Sequence, residues 1–360
     1  MNRRLASDPA SHGVMASGRL KRLPLLSLLT FFVAGSVTSY ARASRGGSSG
    51  DWPGTSSGMS PLSSMAASAI SSASIQSTRA VVRVRGSDTR GELNGTGFFV
   101  DPASTICTVA DLVKGSDSIV IVKDGKEYPC NVLAIDEGSG AAFLKPIGEM
   151  PHSGENFFSP RALPTPSPFT PALAIGCSRD KDPAISVGMI TGTKSHEGDF
   201  YFRLPQHMAK ISLTEGEAGA PVFDLDRHLI GMVLSGNSQA GDCRILPAGA
   251  IEKLHTDLLR FGKINQGWVG AVVEEAAVPE DNSTTRIASV EPGSPAESAG
   301  LKSGDIILAL GSRPITQPDK LLEASFYLTA GESIPMTIWR SGKINHVVIH
   351  CVNPPNANDH

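Results

Sequence analysis

Thr214-Glu215-Gly216-Glu217-Ala218-Gly219-Ala220-Pro221-Val222 decides how the rest of this chain is read. Gly216 and Gly219 flank a short acidic-and-small pair, and Pro221 closes the stretch. Glycine takes backbone dihedrals that other residues resist, so two glycines this close allow a tight turn. Such a turn aims successive N–H groups at one point, which makes a hole for an oxygen that carries negative charge. Between the two glycines stands Ala218, whose methyl group is no nucleophile and cannot be activated. Taken alone, the stretch reads first as an ordinary surface turn, and the rest of the chain must decide.

Working outward, 360 residues suit two domains plus tails. The chain is 40% hydrophobic and 6% aromatic, and its 37 Gly and 25 Pro point to many turns and hence β structure. The N-terminus reads as a targeting segment. Arg19, Lys21 and Arg22 precede an apolar run, Leu23 to Val37, and Ala41-Arg42-Ala43 supplies small residues at a cleavage spacing. Residues 1–43 are expected to be a signal peptide, with Met15 as an alternative start. A membrane anchor at residues 23–37 is the competing reading. The first 43 residues carry six basic side chains and one acid; the whole chain is −3, which leaves −8 for the remainder. An acidic exported product without a Lys/Arg stripe excludes nucleic acid as the expected partner. Residues 44–77, rich in Ser, Gly and Ala, are expected to be a disordered linker.

Five cysteines are present: Cys107, Cys130, Cys177, Cys243 and Cys351. Export permits disulfides, and an odd count leaves at least one thiol over. Cys107 and Cys130 fall in neighbouring expected strands and form the expected pair; the alternative is five small buried apolar residues. No Cys/His spacing suggests a metal, and no cofactor is expected. Asn94-Gly95-Thr96 and Asn282-Ser283-Thr284 match the glycosylation pattern, which matters only in a secretory eukaryote.

From 78 to 262, short β-forming segments alternate with turn signals. They are 80–85, 97–100, 119–122, 131–135, 141–145, 172–175, 185–191, 200–204, 220–223 and 229–234. Strands this short at this spacing imply all-β barrels. Ile251, Leu254, Leu258 and Phe261 then lie on one face of a helix that stops at Gly262.

The ordered series of motifs resembles the HtrA/Deg family of trypsin-like serine proteases, and the resemblance covers most of 78–350. Gly95-Thr96-Gly97-Phe98-Phe99-Val100 resembles its opening strand, and Thr108-Val109-Ala110-Asp111-Leu112-Val113 its histidine stretch. Asp136 to Lys145 resembles its aspartate stretch, and Ala174-Ile175-Gly176 and Ser186 to Ile190 the strands before the loop. Gly216 to Pro221 resembles its nucleophile loop, and Leu229-Ile230-Gly231-Met232 the next strand. The resemblance implies a trypsin-like double β-barrel. It puts the triad histidine on Asp111, the aspartate on Gly140 and the serine on Ala218. The triad mechanism needs a nucleophile, a base and a group that orients the base. An ordinary aspartate is a weak base near neutral pH, and Gly140 orients nothing. The expectation is therefore a degenerate triad and no enzyme, a pseudoprotease, with residual oxyanion-hole positions at Gly216 and Ala218. The alternative is a serine-type endopeptidase with an unorthodox active site.

Residues 263–352 resemble the PDZ module of the same family. Gly293-Ser294-Pro295-Ala296-Glu297-Ser298-Ala299-Gly300-Leu301-Lys302-Ser303-Gly304-Asp305-Ile306-Ile307 carries that resemblance. Pro292-Gly293 reads as a turn, Ser294 as an N-cap, Pro295 as the first helical residue and Gly300 as a stop. A PDZ domain implies capture of extended peptides or protein C-termini by strand addition. The implied peptide-binding residues are Gly267, Trp268, Val269, Gly270 and Ala271, with Leu322 and Phe326 on the opposite helix. Trp268 reads alternatively as interdomain packing, and Leu322 and Phe326 as core. Residues 353–360 are expected to be a disordered tail. The expected whole is mainly β: a double barrel followed by an α+β PDZ domain, exported to the periplasm or secreted. Its expected role is to bind peptides or misfolded proteins as a scaffold, regulator or chaperone-like factor. Active HtrA-type relatives and copies of itself are its expected protein partners. A structural envelope component is the third reading.

Overall fold

A computed structural model describes residues 77–89, 91–150, 156–178, 183–195, 204–237, 240–277 and 283–355. The expected signal peptide, its cleavage site and nearly all of the 44–77 linker lie outside them, as does most of the tail. Among the described residues, no helix is long and apolar enough to cross a membrane.

Two closed barrels come first. Strands β1 (Val81–Asp88), β2 (Gly91–Phe99), β3 (Ile106–Val109), β4 (Ser118–Lys123), β5 (Lys126–Asp136) and β6 (Ala141–Pro146) close in the order β1-β2-β3-β6-β5-β4. A one-turn helix, α1 (Ala110–Val113), follows β3. Strands β7 (Pro171–Gly176), β8 (Ala184–Ser195), β9 (Pro205–Ile211), β10 (Pro221–Phe223), β11 (Leu229–Asn237) and β12 (Asp242–Pro247) close in the order β10-β11-β12-β9-β8-β7. Two strands escaped the sequence reading, β9 and β12, and β3 was expected only as the strand that carries Cys107. In β3 every residue is buried, so no alternation marks it. The strand expected at 200–204 begins outside the described residues, and β9 starts at Pro205.

Phe158 joins the barrels. Its N–H donates to Phe99 O, and its ring lies edge-on to Phe98 at 5.9 Å and stacked on Phe223 at 5.6 Å. Full burial of a ring such as Phe98 contributes about 2–3 kcal/mol. Helix α2 (Ala248–Phe261) starts three residues earlier than expected and ends at Gly262, whose φ of 69° is left-handed. Ile251 and Leu254 are fully buried, but Phe261 is 39% exposed, with the Arg260 guanidinium over its ring. The same helix reaches the first barrel through His255, whose Nε2 lies 2.9 Å from Asp101 Oδ2.

None of the five cysteines is in a disulfide. Cys107 on β3 and Cys130 on β5 are separated by β6, so the expected disulfide does not form. Cys107 instead packs its thiol 3.7 Å from Met232 Sδ. Burial pushes the Cys130 thiol up to about 12.

The last region is one sheet of β13 (Ala271–Ala277), β14 (Ser283–Val290), β15 (Ile306–Leu310), β16 (Arg313–Pro314), β17 (Ser333–Arg340) and β18 (Lys343–His350). Its order is β13-β14-β15-β17-β18, with β16 paired to β15. Strand β13 is therefore a sheet edge. The turn before β15 forms as its sequence suggested. Ser294 Oγ accepts from Glu297 N–H, Pro295 opens α3 (Pro295–Ser298), and Gly300 is left-handed at 75°. Asp305, 1% exposed, takes a two-pronged bond from Arg340 and one from Lys302 N–H. Burial alone would raise its pKa; Arg340 and the Lys302 N–H hold it below the usual carboxylate value.

Candidate functional site

Strand β2 of the first barrel holds the 214–222 loop of the second. Thr96, fully buried, does it through two groups and three bonds. Its N–H donates to Ala218 O at 2.8 Å, its Oγ1 donates to Gly216 O at 2.8 Å, and the same Oγ1 accepts from Cys177 N–H at 2.8 Å. Thr108 Oγ1 in turn donates to Thr96 O. Gly219 explains the second glycine of the loop. Its φ is +89°, and a Cβ there would lie 1.9 Å from Thr96 O. Glu217 N–H, Gly219 N–H and Ala220 N–H all bond within this architecture, to Thr214 O, Val233 O and Glu217 O. The N–H groups of Gly216 and Ala218 have no partner among the described residues.

Glu217 turns inward. It is 3% exposed, its Oε2 accepts from Thr214 N–H at 2.7 Å, and it packs against Gly176, where a Cβ would strike its side chain. Beside the loop is a cavity of about 310 Å³. Leu213, Val233 and Gly236 form part of its lining, and Thr214, Glu215, Gly216 and Ala218 come from the loop itself.

The structure brings Asp111, Gly140 and Ala218 to the junction of the barrels. Asp111 is exposed on α1. Its neighbour Ala110 donates N–H to Gly140 O at 2.8 Å. Leu112, on its other side, and Ala218 O both approach Gly95. Gly140 has a left-handed φ of +78°, and a Cβ there would sit 3.1 Å from Leu234 Cδ2 on β11. Its N–H returns to Asp136 O, and Asp136 Oδ2 accepts from Ser139 N–H. Burial raises the pKa of Asp136, although the bonds from Ser139 oppose it.

In the C-terminal region, Gly267 N–H and Trp268 N–H are used, bonding Leu328 O and Val352 O. Val269 N–H and Gly270 N–H have no partner among the described residues, and they immediately precede the β13 edge. Gly270 has φ +79°, with Ser294 Cβ 2.3 Å and the Trp268 ring 2.8 Å from where a Cβ would stand. Val269, Ala271 and Val273 are half-buried against the local core, facing α4 (Pro318–Phe326), on which Leu322 is also half-buried. Phe326 takes its alternative reading as core: it is buried in the cluster shared with the barrels, edge-on to Tyr327 at 5.3 Å. Tyr327 sits at the same junction, with Arg313 over its ring at 4.1 Å.

Thr96, Thr108 and Glu217 escaped the sequence reading as site residues. Gly95-Thr96-Gly97 was visible only as a strand opening. Its hydroxyl partner lies 120 residues away, a separation that local pattern does not encode.

Comparison with known proteins agrees with this geometry. Residues 95–232 match the trypsin-like peptidase domain family and residues 286–340 the PDZ domain family. A probable periplasmic serine endoprotease DegP-like of Marinomonas sp. (strain MWYL1) is 26% identical over 281 residues, covering 73% of this chain and 57% of that protein. A protein of the same name from Rhizobium meliloti (strain 1021) is 24% identical, covering 71% and 52%. The chain thus spans about half the length of the curated relatives it matches. Among solved structures, HtrA-type protease AlgW with tripeptide gives a TM-score of 0.63 at 20% identity, covering 81% of this chain and 99% of that one. The serine endoprotease from Yersinia pestis gives 0.57 at 21%, covering 79% and 97%.

These relatives overturn the expectation that the chain is not an enzyme. They are named as serine endoproteases, and the structural neighbours are HtrA proteases. The sequence reading inferred inactivity from three missing side chains, and a missing side chain is not a measurement of activity. The chain thus joins a trypsin-like peptidase domain to a PDZ domain, the arrangement of the HtrA-type and DegP-like proteins it is similar to.

Proposed function

We propose that this chain is an exported, peptide-recognising protein of the HtrA/Deg type, acting on unfolded or exposed polypeptide in the periplasm. Residues 1–43 support export, and so do relatives named as periplasmic. The PDZ domain takes a peptide's C-terminal strand against β13, with its carboxylate on the Val269 and Gly270 N–H groups. Leu322 and the half-buried Val269, Ala271 and Val273 receive the last side chain. The barrel cleft receives a second stretch of extended chain, with a carbonyl on the Gly216 and Ala218 N–H groups. The observation that carries this is the β13 edge, unpaired among the described residues and preceded by two N–H groups with no partner among them. Ordering a short peptide costs free energy, so the expected affinity is micromolar, about −7 to −8 kcal/mol. Fluorescence polarisation on the whole chain tests it: Leu322→Ala should weaken an apolar-ended peptide while leaving the barrels' unfolding transition unchanged.

Endoproteolysis, the reaction in the relatives' names, is the second reading. Residue 218 supplies no nucleophile to it, so another group would have to. Hydrolysis of unfolded casein that is lost when the 214–221 loop is disrupted would establish it and exclude a contaminant.

A further inference from the structure

The cavity beside Ala218 has apolar walls in Leu213 and Val233, and its loop side is backbone apart from the side chains of Thr214, Glu215 and Ala218. Glu215 is the one ionisable side chain among its described lining residues. It is exposed, and no ion pair or hydrogen bond engages its carboxylate among the described residues. The other acid of the loop, Glu217, is turned away and held by Thr214 N–H. Asp111, exposed near the same junction, adds a second carboxylate that makes no ion pair among the described residues. The N–H groups of Gly216 and Ala218, half-buried and without a partner among the described residues, can take an acceptor oxygen. A free carboxylate would suit them but would meet Glu215 at the rim. A neutral amide carbonyl suits them without that repulsion.

We propose that Glu215 makes the barrel cleft selective for internal peptide segments in which a lysine or arginine follows an aliphatic residue. This rests on the cleft binding peptide at all, as proposed above. The aliphatic side chain enters the cavity, the adjoining carbonyl takes the two N–H groups, and the basic side chain pairs with Glu215 at the mouth. The PDZ domain and the cleft then read opposite features, a free C-terminus in one and a cationic internal segment in the other. An exposed pair of this kind changes affinity by a few-fold, and reversing the ligand charge roughly squares that change.

Three labelled octapeptides, acetylated and amidated so that no terminus is free, test this on the whole chain. They differ only in carrying Val-Lys, Val-Gln or Val-Glu at the centre. A saturating unlabelled free-acid peptide occupies the PDZ groove throughout. Affinity should fall in the order Lys, Gln, Glu, with about a tenfold span at about 50 mM salt, and the span should collapse at about 0.5 M. It should collapse equally in Glu215→Gln, an exposed isosteric change that leaves the unfolding transition in place. Equal binding of the three peptides overturns the charge selection while sparing the cleft. A span that survives Glu215→Gln overturns the assignment to that residue. No binding of any of the three overturns the cleft reading itself.

Discussion

Thr96→Val probes the contact between the barrels most sharply. The two side chains have nearly the same shape, so packing is preserved while the hydroxyl is lost. That hydroxyl donates to Gly216 O and accepts from Cys177 N–H, both at 2.8 Å, at a site with no solvent access. Leaving the Gly216 carbonyl unsatisfied costs about 1–3 kcal/mol, and losing the bond from Cys177 N–H costs about 1 kcal/mol more. The total is about 2–4 kcal/mol, which for a barrel pair of this size lowers the melting transition by roughly 5–15 °C. Differential scanning calorimetry reads it directly. Thr96→Ser keeps the hydroxyl and sheds one methyl, so it should cost only about 1 kcal/mol. If valine and serine destabilise equally, or valine shifts stability by less than about 0.5 kcal/mol, Thr96 does not hold the loop as described.

Two further outcomes are expected. Burial raises the Asp101 pKa, but hydrogen bonds from His255 and Thr105 outweigh it and hold the group at about 2, below the ordinary aspartate range. A depressed carboxylate stabilises the fold above the unfolded pKa. About 2 kcal/mol should therefore be present above about pH 4 and lost as pH falls toward about 2, and Asp101→Asn should flatten that part of a denaturation-versus-pH curve. Gly140→Asp should destabilise by about 1–3 kcal/mol in urea titration, because it forces a side chain into a left-handed backbone with Leu234 3.1 Å from its Cβ. A neutral or stabilising Gly140→Asp would show that this turn relaxes freely.

Much of the architecture was legible because it is written locally. The turn that begins at Pro292-Gly293 is an example: Ser294, Pro295 and Gly300 each hold the capping place that their chemistry favours. The apolar spacing of Ile251 and Leu254 likewise found α2. What stayed hidden depends on distant partners. The bounds of β3 had no period to mark them, because the strand is buried on both faces, and Phe326 shares a helical face with Leu322 yet joins the core cluster of the barrels. The Cys107–Cys130 pairing failed because β6 enters between the two strands, an order that sequence adjacency does not give. At the cleft, Asp111, Gly140 and Ala218 were singled out by resemblance, whereas Thr96, which holds the loop from the other barrel, carries no local mark.

The central claim is that the β13 edge and the Val269–Gly270 turn read a peptide's free C-terminus. The most direct measurement compares one apolar-ended peptide as free acid and as amide, by fluorescence polarisation on the whole chain. The free acid should bind with micromolar affinity and the amide at least about tenfold more weakly, because amidation removes the charge that the two N–H groups receive. Equal affinity for the two forms would contradict the account, since a site indifferent to the terminal charge is not reading a terminus.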